Sequence, residues 1–150
     1  MLIDTIGRVG TIANSADSAY YTVIKLESYM IFVFVEDGTL EVVESLEDAQ
    51  KYEGIDVESD VFIFYDEKGV YLKPIFTTPN KVKSIFGLFK TVESGEYILV
   101  PEQNDTDSDS IDIMLAETVA LEQNKWFQSL DEVRRFITSH SSAPLRGRTR

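Results

Sequence analysis

The sequence predicts an α+β fold: a single domain whose mostly antiparallel twisted sheet is built from hairpins, with three or four helices packed on one face. Three observations carry this expectation. Runs such as "YMIFVFV" and "VFIFY" are dense in the β-branched and aromatic residues that favour strands. Asp37-Gly38 and the stretch "DEKG" ending at Gly69 place turn residues between such runs. Capping-box patterns at Ser45 and Ser129 mark helix starts, because a serine hydroxyl and a carboxylate three residues on can satisfy each other's free N–H groups. At 150 residues the chain is about one domain, able to bury roughly two thirds of its unfolded surface.

In chain order, Tyr20 to Leu26 and Tyr29 to Val35 read as strands. Asp37-Gly38 suits a type I′ turn, which pairs Tyr29–Val35 with Thr39–Val43. Ser45 then opens the helix "SLEDAQKY", with Leu46, Ala49 and Tyr52 on one face, Gly54 just past its end, and an acidic loop beyond. Val61–Tyr65 and Val70–Phe76 form the next hairpin, and Pro74, which has no N–H to donate, makes its second arm an edge candidate.

Thr78-Pro79 reads as a helix start. Val82, Ile85, Phe86 and Phe89 follow at i, i+3, i+4 and i+7, which predicts a helix packed on the sheet. The alternative is a membrane-surface helix flanked by Lys81, Lys83 and Lys90. Tyr97–Val100 is a short strand and Pro101–Ser110 a loop. "IDIMLAETVALEQ" is read as helix, although Ile111, Ile113 and Leu115 also alternate as a strand would. Trp126 and Phe127 are expected to seal the end of the core ahead of a last helix, which runs from Ser129 to about Thr138. The domain is therefore 1–138, and 139–150 is expected to be a flexible basic tail.

Little catalytic chemistry is available. There is no cysteine, which removes disulfides, thiolate metal sites and thiol nucleophiles, and the single His140 falls in the serine-rich tail, where no rigid frame holds a general base. No phosphate-binding glycine motif and no nucleophile elbow occurs. "NDTDSDSID" (Asn104 to Asp112) resembles a calcium loop only in part. Counted from Asp105, Asp107 and Asp109 fall correctly, but Ser110 occupies the glycine position and Ala116 the place of the bidentate glutamate. The expectation is no catalytic residue, no cofactor and no metal.

Charge is the informative quantity. The formal net charge is −12, with twelve carboxylates against one lysine between Glu36 and Glu67, while Lys68 to Lys90 holds five lysines and no carboxylate. Such a surface disfavours nucleic acid and anionic membrane and steers association with a basic protein. The longest apolar run is too short to span a bilayer, and no basic region precedes the first apolar cluster, so a cytoplasmic location is expected. The sequence thus predicts a non-enzymatic acidic binding protein that inhibits or escorts a basic protein partner, in the manner of an immunity protein, an antitoxin or a nucleic-acid mimic. The expected contact residues are Glu41, Glu44, Glu47, Asp48, Glu53, Asp56, Glu58 and Asp60. The alternative is a small-molecule-binding or assembly subunit with a cleft lined by Tyr20, Tyr65 and Phe76.

Overall fold

The computed structural model describes residues 30–102 and 109–140. At its centre lies β1 (Ile31–Val35), buried at four successive positions. Successive strand side chains point to opposite faces, so such a run needs cover on both. β2 (Thr39–Val43) and β3 (Phe62–Asp66) flank β1 antiparallel, through Phe32↔Val42 on one side and Phe32↔Tyr65 on the other. β4 (Tyr71–Phe76) pairs with β3, β7 (Tyr97–Pro101) pairs with β4, and β8 (Ala120–Leu121) joins β2 in parallel. The order is β7-β4-β3-β1-β2-β8.

The helices cover both faces of this sheet, not one. α1 (Leu46–Ala49) and α2 (Gly54–Glu58) bring Ala49 and Val57 against Ile31, Val33, Phe64, Leu72 and Leu99. On the other face α3 (Ile111–Glu117) and α4 (Leu130–His140) bring Ile111, Leu115, Val133 and Ile137 against Phe32, Phe34, Leu40 and Tyr65. Each large apolar side chain buried in either core contributes about 1.5 to 3 kcal/mol relative to exposure. The expectation of one covered face fails because the uninterrupted apolar run of β1 leaves neither side wettable.

Both sheet hairpins occur where expected, the first with a different turn. Gly38 and Gly69 take positive φ (84° and 78°), and their N–H groups donate to Val35 and Asp66 carbonyls at 2.9 and 3.0 Å. Asp37 is not at positive φ, so the first hairpin closes, like the second, with a three-residue loop ending in a left-handed glycine and not with the type I′ turn expected at Asp37-Gly38. Ser45 Oγ accepts the Asp48 N–H at 3.1 Å and Ser129 Oγ the Glu132 N–H at 3.3 Å, the capping the sequence implies. The first helix ends at Ala49, and "GIDVE", read as loop, is α2. Pro74 lies in an interior strand, since β7 pairs along it as Pro74↔Leu99; the pairing of β3 with β4 stops at Phe64↔Leu72, before the proline.

The larger correction concerns residues 79–90. They form no helix: β5 (Lys81–Ile85) and β6 (Phe89–Glu93) make a separate two-stranded hairpin whose ten strand residues are all exposed. Two features defeat the helix. A mid-helix Gly87 costs about 1 kcal/mol, and the β-branched pair Val82↔Val92 fits a cross-strand register. The predicted strand Tyr20–Leu26, the loop positions 104–108 and the tail from 141 lie outside the described residues; α4 itself extends to His140.

Candidate functional site

The eight carboxylates expected to meet a partner do not share one role. Glu41 accepts the Tyr52 hydroxyl, and Glu44 pairs with the Lys125 ammonium. Asp48 is held below the usual carboxylate range, first by the bonded Lys51 ammonium and then by Ser45. Glu58 Oε2 accepts from Asn80 Nδ2 at 2.7 Å. Those four are oriented or neutralised by groups of the same chain. Glu47 and Asp56 stand in the first turns of α1 and α2, where a helix N-terminus favours negative charge, and Glu53 is the N-cap of α2 without a side-chain bond.

Asp60 is different. It follows α2 in the left-handed conformation (φ 58°). Its N–H donates to the Val57 carbonyl at 3.2 Å and the Val61 N–H to that of Asp56 at 3.0 Å, the bond pattern of a Schellman cap, in which glycine usually fills this position. That geometry sets Asp60 at a cavity of about 250 Å³. Phe34, Val35, Ile63 and Met114 give it apolar lining beside the buried Thr118, while Glu36, Asp60 and Glu117 are its exposed carboxylates. Three segments converge there: the β1–β2 turn, the α2–β3 connection and the end of α3. Val119 N–H to the Gly38 carbonyl (2.9 Å) and Glu36 N–H to the Val61 carbonyl (2.9 Å) hold them together, while Thr118 Oγ1 donates to the Met114 carbonyl (2.7 Å) within the end of α3.

Of the expected contact residues only Asp60 belongs to this cavity. Glu44 and Asp48 border an open depression beside Trp126, where Lys125 lies 4.9 Å over the indole and already neutralises Glu44. Glu36 could have been found in the acidic block. Glu117 could not, because it arrives from another part of the chain.

The second feature is the arm made by β5 and β6. Its register puts Lys81, Lys83, Ile85, Phe89, Thr91 and Glu93 on one face and Val82, Ser84, Lys90 and Val92 on the other. At the tip Phe86 and Gly87 both take positive φ (54° and 68°), and Phe86 is 93% exposed. The alternation in "KVK" and "TVE" around "SIFGLF" is the signal that the helical reading missed. The arm's root, by contrast, is tightly fastened. Asn80 Nδ2 donates to the Gly54 carbonyl at 3.0 Å as well as to Glu58, and Asn80 Oδ1 accepts the Gly95 N–H. A Cβ on Gly95 would fall 2.1 Å from the Thr78 carbonyl oxygen, so only glycine permits this closure.

Elsewhere, burial pushes the Asp66 carboxyl upward, yet its Oδ1 accepts the N–H groups of Lys68 (2.9 Å) and Val70 (2.8 Å) and serves the β3–β4 turn. Tyr65 and Phe76 pack into the two cores on opposite faces, so they line no common cleft, and Tyr20 lies outside the described residues. Among the described residues no group of three His, Asp or Glu side chains is placed to hold a metal, and no helix is long and apolar enough to cross a membrane. Compared with protein-family models, curated proteins and solved structures, the chain has no significant match.

Proposed function

We propose that this is a cytoplasmic, non-enzymatic acidic binding protein that docks onto a basic protein partner and inhibits or escorts it. The observation that carries the reading is the cavity between Glu36, Asp60 and Glu117, which Phe34, Val35, Ile63 and Met114 also line. Buried apolar anchors supply most of the energy of a protein interface, while charges around them steer encounter and reject wrong partners. A basic segment bearing one aromatic or aliphatic anchor meets both requirements.

A second argument is energetic. Glycine would hold the Schellman position after α2 with less strain, yet the chain places a carboxylate there, at the cavity. Strain kept where a charge faces an open cavity supports a binding role for Asp60. Glu47, Glu53 and Asp56 extend the negative field from the same part of the chain, and Glu41, Glu44, Asp48 and Glu58 have intramolecular work. The alternative, a small-molecule-binding or assembly subunit, draws no support from Tyr65 and Phe76, which pack in different cores.

The test is a titration with a short synthetic peptide of lysine and phenylalanine, followed by the methyl resonance of Met114. Saturable binding is expected, weakening as salt shortens the Debye length to about 8 Å and falling about tenfold in the double variant Glu36→Lys/Glu117→Lys. Equal affinity for the variant, or an unmoved Met114 signal, overturns the reading.

A further inference from the structure

We propose that the β5–β6 arm of one copy of this chain docks in the acidic cavity of a second copy. The proposal rests on the reading of the cavity just given and names an occupant for it.

The arm carries what the cavity asks for. Its head is apolar, with Phe86 93%, Leu88 81% and Phe89 69% exposed, and Lys81, Lys83 and Lys90 stand along the strands behind it. Only Glu93 opposes them within the arm, paired with Lys83 at 3.0 Å. Opposite it stand the apolar side chains of Phe34, Val35, Ile63 and Met114 and three carboxylates on Glu36, Asp60 and Glu117. In a chain of net charge −12, the arm holds Lys81, Lys83 and Lys90 against the single carboxylate of Glu93, and this positive balance suits an acidic cavity.

Among the described residues the two strands of the arm pair only with each other. A two-stranded hairpin alone in water is at best marginally stable, and this one exposes apolar side chains on both faces: Ile85 and Phe89 on one, Val82 and Val92 on the other. A cavity of about 250 Å³ has room for one aromatic anchor, and Phe86 at the tip is the most exposed of the arm's apolar side chains. Phe86 and Asp60 are the non-glycine residues at positive φ among the described residues, one at the arm's tip and one at the cavity. Backbone strain of this kind persists where function holds it, and here both strained residues fall on the two halves of the proposed contact.

A second copy is required. The root is fastened through Asn80 to Glu58, two residues from Asp60, and five residues of strand carry the tip about 16 Å from that root. A straight arm rooted near the cavity leads away from it. The contact joins two different surfaces, so one exchange leaves an arm and a cavity open for further copies, whereas reciprocal exchange closes a dimer.

The experiment is sedimentation equilibrium on the full chain, with two variants whose folds are checked by thermal melting. Phe86→Asp removes the knob, and Glu36→Lys/Glu117→Lys reverses the cavity. The wild type is expected to associate with concentration, less so at higher salt, and each variant alone to stay monomeric. Their equimolar mixture should form a heterodimer and nothing larger, since only one intact arm and one intact cavity meet. Association of the Phe86→Asp variant at wild-type strength, or a mixture that stays monomeric, overturns the proposal. So does a wild type that is monomeric up to about 1 mM yet sediments with phosphatidylserine-containing vesicles in a Phe86-dependent way, which assigns the arm to lipid. If the lysine–phenylalanine peptide still fills the cavity of a monomeric wild type, the cavity reading stands and the arm proposal alone falls.

Discussion

The Gly95 N–H donates to Asn80 Oδ1 at 2.6 Å and closes the root of the exposed arm from within. The same side chain reaches the Gly54 carbonyl and Glu58, so one residue ties both arm strands to α2. Asn80→Ala removes all three bonds and is expected to cost about 1 to 3 kcal/mol by chemical denaturation. Amide exchange should quicken across 81–93 and stay slow in β1, since the β1 ladder does not depend on the root.

Asp60→Gly tests whether a charge is kept at the expense of stability. Glycine relieves the left-handed strain, so the variant should be more stable by about 0.5 to 1 kcal/mol while binding the lysine–phenylalanine peptide more weakly. A variant that gained no stability would show that the side chain of Asp60 supports the fold.

Phe32 and Phe86 are the same residue type at opposite extremes of burial, 0% and 93% exposed. Phe32→Ala is expected to cost about 3 to 5 kcal/mol, whereas Phe86→Ala should move global stability by less than about 0.5 kcal/mol. Parallel urea titrations distinguish this arrangement from a packed helix, in which both changes would be severe.

Alkali should expose the buried tyrosines. The Tyr97 hydroxyl donates to the Ala49 carbonyl at 2.8 Å, and burial pushes its pKa from 10.0 to about 12. A group that holds its proton more tightly in the fold contributes stability fully present below pH 10.0 and lost as pH rises through about 12. Unfolding free energies measured over that interval should fall, and less steeply in Tyr97→Phe. Tyr52, raised by burial and then by its bond to Glu41, retains part of the slope.

Asp66 behaves with the same sign at acid pH. Desolvation raises its pKa above 3.8 against the pull of the Val70 and Lys68 N–H groups, so its contribution is complete below 3.8 and declines as pH rises through the raised value. Asp66→Asn keeps an oxygen for both N–H donors without the buried charge. Melting temperatures should match or exceed the wild type at neutral pH and lose that part of the pH dependence. Asp66→Ala, which leaves the two donors unpaired, should cost about 1 to 3 kcal/mol.

What the sequence determined by itself is the local structure: strands β1 to β4 and β7, the helix that begins at Ile111, the glycine-closed turns at Gly38 and Gly69, and the serine caps of α1 and α4. Each depends on residues a few positions apart, through steric limits on φ or a hydrogen bond within one turn. Tertiary structure decided the rest. The apolar repeat Val82, Ile85, Phe86 and Phe89 fits a helix and tolerates a hairpin; Gly87 weighs against the helix locally, and the hairpin's root is fixed by Asn80, which accepts the Gly95 N–H and donates to Gly54 and Glu58, bridging segments distant in sequence. The need for cover on both faces was already written in the uninterrupted apolar run of β1, but which helices supply it on each face was decided by packing. Glu36, Asp60 and Glu117 meet only because the β1–β2 turn, the end of α2 and the end of α3 pack at one corner. Convergence of that kind is set by packing among elements, and no spacing along the chain encodes it.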